Sequence, residues 1–328
     1  MDSLIFAVCA VLPIILVVTI GYFLKKTGYM DKTFAKMANR LVFHVFLPAL
    51  LFLNVYKIEN IKSIEFGFVI YAVAVLLLVF LLAIPVVIML TKDSSRRGVL
   101  LQSSFRSNYA LIGIPLADSL FGDEGIMVAT LLSAVFIPML NMLAVISLSI
   151  FREGENKPSV KKILVGIAKN PLIRSIAMGL LVLLIRDAFV QNGVSFRLCD
   201  ITPIYSALEF ISALATPLAL LVLGAQFEFS AVKELKKEIV FGTLMRTVIV
   251  PAMGIGIAYF AFGDSFGGAH FAAFVAAFAT PVAVSSVPMS QEMDGDVILA
   301  GQLVVWTTLL SVASVFIASF LLRLAGVF

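Results

Sequence analysis

Two short stretches that contain proline and a few polar residues interrupt apolar parts of the chain, and each carries groups that could bind a small ion. The first runs over 108–115 and the second over 280–288. Proline removes a backbone N–H and frees carbonyl groups that hydrocarbon cannot satisfy, so such a break is expected beside a wet cavity. A helix that restarts there offers free N–H donors to an anion. These residues are predicted to hold a small carboxylate: Asn108, Tyr109, Gly113, Pro115, Thr280, Pro281, Ser285, Ser286 and Pro288.

The two stretches occupy corresponding positions in two halves of the chain. Pro115 and Pro288 are separated by as many residues as Gly122 and Gly295. Each break lies about 16 Å of helix from the expected membrane edge, close to the middle of a hydrocarbon layer about 30 Å thick. Paired interruptions of this kind indicate the binding site of a secondary transporter.

Other polar residues lie at similar depth and could act as accessory groups. Arg106 could attract anions or extend its charge to the inner surface. Asp118 could carry a coupling proton or face solvent, and His44 could relay protons or simply pack in its helix. Five further polar residues lie at this depth, for which structural roles are favoured over substrate contact, although Asn54 and Gln302 are kept as possible accessory groups: Asn54, Gln102, Asn141, Arg246 and Gln302.

Composition excludes several classes of protein. Only 13% of the residues are charged and 61% are hydrophobic, whereas soluble domains contain about 25% charged residues. The chain lacks a phosphate-binding Gly-Lys-Ser/Thr loop and a Gly-x-Ser-x-Gly nucleophile elbow, and its two histidines are too few for a typical metal site. We therefore predict no enzyme activity, no cofactor and no metal. The net charge of +4 comes from Lys and Arg that flank the membrane, so nucleic-acid binding is not predicted.

Apolar runs of about 20 residues recur along the chain, and each is long enough to cross a bilayer. They predict an all-α polytopic membrane protein with ten transmembrane helices, the first of which is too long to be the core of a cleaved signal. Lys and Arg concentrate in the loops after the odd-numbered helices, which places those loops in the cytoplasm and both termini outside. The predicted helices are 4–24, 36–56, 64–90, 98–120, 125–151, 170–190, 203–225, 239–262, 270–290 and 297–322.

Five helices in each half give the protein a predicted internal symmetry. An odd number makes the second half enter the membrane upside down, so 1–155 and 156–328 are predicted to be inverted repeats with crossed, proline-broken fourth and ninth helices. Pro48 and Pro217 lie in similar segments of the second and seventh helices and are expected to kink them. The alternative is that these prolines only reflect the frequency of proline in membrane helices.

The residues of both breaks resemble the auxin efflux carrier family. The first match runs from Asn108 through Gly113-Ile114-Pro115-Leu116 to Gly122. The second runs over 279–308 and contains Thr280-Pro281 and Gly295-Asp296. The N-terminal segment 21–28 is also similar, so the resemblance covers essentially the whole chain.

The resemblance implies the fold of sodium/proton antiporters and bile-acid symporters. It implies a scaffold formed by 1–60 and 160–226, through which members form homodimers, and a mobile transport unit formed by 61–151 and 236–324 that moves as an elevator. Family substrates are organic anions, such as auxins in plants and malonate- or malate-like acids in bacteria. Asn108 matches the substrate-contacting asparagine of the family, whereas the second break has Thr280 and Ser285-Ser286 where a counterpart is less clear. The short central loop indicates a prokaryotic member.

The sequence as a whole predicts a secondary active transporter of a small carboxylate, working by elevator-type alternating access in the plasma (inner) membrane. Its predicted partners are the organic anion, the lipid bilayer and a second copy of the chain. One alternative is a cation/proton antiporter on the same fold, which would need an acid that titrates at midplane, and Asp118 is the only candidate. A second alternative is a membrane sensor that keeps the site but does not transport.

Overall fold

The computed structural model describes residues 2–58, 66–152, 160–194 and 196–328, and these residues form an all-helical protein. Within these ranges the only β-type pairing is one isolated antiparallel bridge, between Ser107 and Val282. The predicted helical class is therefore confirmed. The predicted start of the third helix at 64 and the predicted repeat boundary at 155 lie outside the described residues.

The helices follow one another with short connections. In the first half they are α1 Asp2–Lys26, α2 Lys32–Leu41, α3 Leu47–Tyr56, α4 Phe66–Leu90, α5 Ser94–Phe105 and α6 Ile114–Ile150. In the second half they are α7 Val160–Lys169, α8 Pro171–Gln191, α9 Thr202–Ala213, α10 Ala215–Gln226, α11 Ala231–Glu234, α12 Lys236–Leu244, α13 Val250–Phe262, α14 Gly268–Phe278, α15 Ser286–Glu292 and α16 Val297–Leu324.

Six helical stretches of the described chain are long and apolar enough to cross a membrane, so the protein is a polytopic membrane protein. Several of them combine two helices that continue through an irregular turn. The count of ten helices and the inverted repeat stay predictions. The six stretches are Lys32–Tyr56, Phe66–Leu90, Tyr109–Ile150, Thr202–Gln226, Lys236–Phe262 and Val297–Leu324.

Three of the irregular turns are π-helical, and each ends two residues before a proline. Proline cannot donate to the carbonyl four residues earlier and clashes with it, and a widened turn moves that carbonyl aside. The kink predicted at Pro48 therefore takes the form of a widened turn, while Pro217 follows a break at Leu214 between α9 and α10. The π-helical turns are Val42–Phe46 before Pro48, Tyr109–Gly113 before Pro115 and Met245–Ile249 before Pro251.

A sharp turn divides α6 into a short segment, 114–120, and a long segment, 123–150. Gly122 has φ 59° and ψ −148°, which glycine adopts readily because it has no Cβ. A corresponding turn precedes α16, where Asp294 has φ 59° and the Asp296 carboxylate accepts a hydrogen bond from Leu299 N at 2.9 Å. In both halves a Gly-Asp turn thus ends a short helix and begins a long one.

The helices α1 and α10 pack closely along their backbones, and α3 packs against α8 in the same way. A Cβ on Gly21 would lie 2.0 Å from Leu221 O, and one on Gly224 would lie 1.9 Å from Val18 O. Small residues allow helices to approach this closely inside membranes. The third extensive contact joins α6 to α14.

Two contacts identify the two ends of the molecule, an ion-pair cluster at one end and a ring contact at the other. At one end Arg96 forms ion pairs with Glu238 at 3.3 Å and with Asp296 at 3.2 Å, where α5, α12 and α16 begin. We call this the Arg96 end. At the opposite end the rings of Phe68 and His270 lie 4.9 Å apart, where α4 and α14 begin. We call this the His270 end.

Candidate functional site

Both predicted breaks interrupt their helices, and the two interruptions meet. The first separates α5 from the π-helical turn Tyr109–Gly113, and the second separates α14 from α15. The main-chain N–H of Asn108 donates to Pro281 O at 2.8 Å, and the main-chain N–H of Ala283 donates to Arg106 O at 3.4 Å. The two extended segments therefore satisfy part of each other's backbone, as buried polar groups require. We call this meeting point the crossing.

The breaks do not lie at the prolines that were predicted to cause them. Pro115 is in the first turn of α6 and Pro288 is in the first turn of α15, so both follow the breaks. Proline is well placed there because the first N–H groups of a helix have no partner inside the helix. The expectation that Pro115 and Pro288 themselves break the helices is wrong. Only Pro281 lies within a break.

The crossing gathers the C-terminal ends of two helices as well as the N-terminal ends that were predicted. Both α5 and α14 end there, and their last carbonyl groups need donors. Arg246 supplies them. Its side chain is completely buried, and it donates to Thr280 O at 2.7 Å, Ala277 O at 2.9 Å and Phe105 O at 3.1 Å.

Arg106 points into the crossing and is only 2% exposed. It donates to Asn141 Oδ1 and Ser285 Oγ, each at 2.8 Å, and to Ser286 Oγ at 3.3 Å. None of the ion pairs among the described residues involves Arg106, so only neutral groups surround its charge. The alternative in which Arg106 extends to the membrane surface is wrong.

A cavity of about 80 Å³ lies beside Arg106. Ser107, Asn108 and Ser285 contribute to one wall, and α3 and α10 form the opposite wall. Asn108 Nδ2 and Ser107 Oγ are buried and have no hydrogen-bond partner among the described residues. Both groups can donate hydrogen bonds, so the cavity combines a buried positive charge with unused donors.

Of the nine residues predicted to bind substrate, Asn108, Tyr109 and Ser285 reach the cavity wall. Tyr109 uses its hydroxyl group elsewhere, because it donates to Ala129 O at 2.8 Å. Gly113 has a packing role: a Cβ there would lie 2.9 Å from Ala276 O. Six of the nine are not part of this wall: Gly113, Pro115, Thr280, Pro281, Ser286 and Pro288.

The accessory candidates divide in the same way. Arg106 and Asn54 line the cavity, whereas Asp118, His44 and Gln302 do not. Asp118 is exposed on the short segment of α6. His44 lies 3.3 Å from the Glu292 carboxylate. Gln302 is buried and donates to Glu228 O at 2.7 Å.

Sequence reasoning missed two groups of the cavity. Ser107 lies between Arg106 and Asn108, and a run of three polar residues in an apolar segment was a signal for it. The sequence predicts only a structural role for Asn141, but Asn141 lines the cavity and its Oδ1 accepts a hydrogen bond from Arg106. No local pattern around Asn141 marks this contact, because it depends on how α6 packs against the crossing.

A wider vestibule of about 770 Å³ extends from the cavity toward the His270 end. It shares Asn54, Ala110 and Ile137 with the cavity wall. Lys57 and His270 also line it. The structure thus connects the crossing with one end of the molecule.

Toward the Arg96 end, three amide side chains join α2 and α10 to α15. Asn39 Nδ2 donates to Gln226 Oε1 at 3.1 Å and to Gln291 Oε1 at 3.0 Å, and Asn39 is completely buried. We call Asn39, Gln226 and Gln291 the amide clasp. The contact of His44 Nε2 with the Glu292 carboxylate, at 3.3 Å, lies beside it and joins the same helical stretch to α15.

Comparison with known proteins identifies the family of this chain. The model of a family described as membrane transport protein matches residues 6–319, which include both breaks. The chain belongs to this family of membrane transport proteins, the auxin efflux carrier family. The resemblance deduced from the residues of the crossing is therefore confirmed.

Two relatives of this membrane transport protein come from archaea. An uncharacterized transporter of Methanothermobacter thermautotrophicus is 26% identical over 322 residues, which cover 93% of this chain and 94% of the relative. An uncharacterized transporter of Methanocaldococcus jannaschii is 27% identical over 251 residues, which cover 74% of this chain and 76% of the relative. The family and both relatives together show that the chain is a transport protein. The name of neither relative states a substrate.

Proposed function

We propose that the protein is a secondary transporter that carries a small organic anion through the cavity at the crossing by alternating access. The observation that carries this proposal is the guanidinium group of Arg106, which is buried beside the cavity and has no carboxylate partner among the described residues. A substrate carboxylate would provide the missing negative charge.

The energetic argument favours an anion. An arginine at the centre of a membrane costs roughly 2.5–3.5 kcal/mol on the insertion scale, and neutral acceptors offset only part of that cost. A hydrogen bond to a charged group contributes about 1.5–3 kcal/mol. Ser107 Oγ and Asn108 Nδ2 would add donors that are unused in the empty cavity. The substrate would thus complete a polar network that the protein leaves open.

The size of the cavity favours a small ligand. A cavity of about 10–15 Å³ can hold one water molecule. The cavity of about 80 Å³ beside Arg106 can therefore hold several groups of that size. An acid with a few carbon atoms is the class that this volume supports. It agrees with the malonate- or malate-like substrates that the family resemblance implies.

The cation/proton antiporter is less well supported. It requires an acid that titrates near the crossing, and the lining of the cavity, which is made of described residues, contains no Asp, Glu or His. Asp118 is exposed and lies outside the wall, and Glu238 is buried at the Arg96 end, where it pairs with Arg96. A positively charged cavity also repels cations.

Elevator-type movement is supported by the position of the cavity between two groups of helices. One wall belongs to α3 and α10, within the proposed scaffold 1–60 and 160–226, and the other belongs to the proposed transport unit 61–151 and 236–324. If 1–155 and 156–328 are inverted repeats, α1 is equivalent to α8 and α3 is equivalent to α10. The packing of α1 on α10 is then equivalent to the packing of α8 on α3. The proposed homodimer would form through the scaffold, which stays fixed while the transport unit moves.

The two ends of the molecule differ in how they close or open the path to the cavity. The vestibule reaches the cavity from the His270 end, while the amide clasp joins scaffold to transport unit at the Arg96 end. Loop charges place the Arg96 end in the cytoplasm and both termini outside the plasma membrane. We therefore infer an outward-facing state, in which transport would require the clasp to open.

Ligand-dependent thermal stability tests the proposed substrate class. Purified protein is heated with acetate, malonate or malate at constant ionic strength, and a ligand that binds only the folded state raises the unfolding midpoint. We expect at least one of these acids to raise the midpoint of the wild type saturably. In Arg106→Gln the apparent affinity should fall by about 10-fold or more, the equivalent of about 1.4 kcal/mol.

Arg323→Gln is the matched control because Arg323 is exposed at the end of α16. It should retain wild-type affinity. The proposal is contradicted if none of the acids shifts the wild-type midpoint, or if Arg106→Gln binds as tightly as the control.

A further inference from the structure

Arg246 holds three carbonyl groups that belong to both interrupted helices. Phe105 is the last residue of α5, Ala277 lies in the last turn of α14, and Thr280 follows that helix within the break. The three donor–acceptor distances are 2.7–3.1 Å. One side chain thus bridges the C-terminal ends of the two helices that meet at the crossing.

The charge of Arg246 is balanced by these helix ends. None of the ion pairs recorded for the described ranges includes Arg246. The C-terminus of a helix carries about half a negative charge, so two of them supply roughly the one negative charge that a guanidinium group needs. Its planar array of five N–H donors also suits several carbonyl oxygens at once.

Broken membrane helices of transporters use such carbonyl groups to bind a metal cation. Unwound backbone and the C-terminal ends of half-helices commonly coordinate the coupling sodium ion. In this protein the guanidinium group of Arg246 already occupies that position.

We propose that Arg246 is a resident cation that replaces a coupling metal ion at the crossing. It is a positioning residue: Phe105 O fixes the chain immediately before Arg106, and Thr280 O fixes the chain immediately before Pro281, whose carbonyl accepts from Asn108. The crossing therefore keeps its geometry without sodium or potassium. This inference goes beyond the proposed function and does not depend on which anion is carried.

The test uses simple cations as probes and needs no substrate. The unfolding midpoint of the purified protein is measured in choline chloride, sodium chloride, potassium chloride and methylguanidinium chloride at equal ionic strength. The wild type should show no saturable shift when sodium or potassium replaces choline. A saturable sodium or potassium shift in the wild type would overturn the proposal, whether or not any variant folds.

Arg246→Ala should unfold at least about 5 °C below the wild type, because three buried carbonyl groups lose their donor. Millimolar methylguanidinium or sodium should recover a large part of this loss saturably, because either cation can enter the vacated site. If no cation recovers it, Arg246 is only a packing residue and the proposal fails. Arg246→Lys keeps a cation at the site, so it should be more stable than Arg246→Ala and insensitive to sodium.

Arg97→Ala is the matched control. Arg97 also donates to backbone carbonyl groups at the end of a helix, Thr91 O at 2.8 Å and Ile88 O at 3.4 Å, but it is partly exposed. Water can satisfy those carbonyl groups when the side chain is removed. The control should therefore show a smaller loss and no cation-specific recovery, and recovery equal to that of Arg246→Ala would contradict a site at the crossing.

Discussion

At the scale of single residues, the buried polar groups divide into those that have partners and those that do not. Arg246 has its acceptors, Tyr109 has Ala129 O, and Gln302 has Glu228 O. Among the buried polar residues that line the cavity, the incomplete groups are the charge of Arg106 and the donors of Ser107 and Asn108, which are consecutive in the chain. This difference separates structural polar residues from candidates for substrate contact.

Substitution of Asn108 tests the sign of the charge that the cavity accepts. Asn108→Ala removes one donor to a charged acceptor and should weaken carboxylate binding by about 10-fold or more, because such a hydrogen bond contributes about 1.5–3 kcal/mol. Asn108→Asp preserves the shape but adds a negative charge, so it should weaken binding more than Asn108→Ala does. Thermal-shift titration with malonate measures both variants. A cation-binding site would reverse this order. If both variants bound malonate as tightly as the wild type, Asn108 would not be part of the site.

The sequence predicts part of this site and misses another part for a physical reason. Asn108 and Arg106 stand out because a polar or charged residue in an apolar segment requires an explanation that the segment itself does not provide. Asn141 and the apolar wall from α3 and α10 meet them only through packing, so no local pattern identifies them. Thr280 and Ser286 have polar side chains at the right depth, but the fold buries them beneath the cavity wall.

At the scale of helices, the positions of the breaks show how proline acts. The sequence predicts interruptions within 108–115 and 280–288, and the structure has them next to Asn108 and Pro281, but Pro115 and Pro288 do not cause them. Both prolines begin the helix that follows. What ends α5 and α14 is the pairing of Ser107 with Val282 and the capture of the freed carbonyl groups by Arg246. Those partners come from distant parts of the chain, so proline content alone could not locate the breaks.

Close packing of α1 against α10 gives a prediction at this scale. A Cβ on Gly224 would lie 1.9 Å from Val18 O, so Gly224→Ala must push the two helices apart. Overpacking typically costs about 1–3 kcal/mol, and the unfolding midpoint should fall by several degrees.

Gly256→Ala provides the control for Gly224→Ala. Gly256 lies inside α13 and has nothing within 4 Å of an added Cβ. Alanine is favoured over glycine inside a helix by about 0.5–1 kcal/mol, so this variant should be as stable as the wild type or more stable. Equal losses in both variants would show that α1 and α10 are not in close contact.

At the scale of the whole molecule, the surroundings of the crossing differ between the two ends. The vestibule leads from the His270 end to the cavity, and the amide clasp joins α2 and α10 to α15 at the Arg96 end. Under the proposed alternating access the clasp would open and close, and neutral amide groups suit such a contact because each hydrogen bond contributes only about 1 kcal/mol and water can replace it. The sequence predicts the helical membrane class and the family, whereas the vestibule and the clasp follow from contacts between the two halves.

Transport itself tests the central claim most directly. Purified protein is reconstituted into proteoliposomes loaded with unlabelled malonate, and the entry of radiolabelled malonate by exchange is followed over time. We predict saturable uptake by the wild type and by Arg323→Gln, with loss of uptake in Arg106→Gln. A carrier that moves its anion through the Arg106 cavity would be contradicted if uptake survived in Arg106→Gln. It would also be contradicted if the wild type bound malonate saturably without exchanging it.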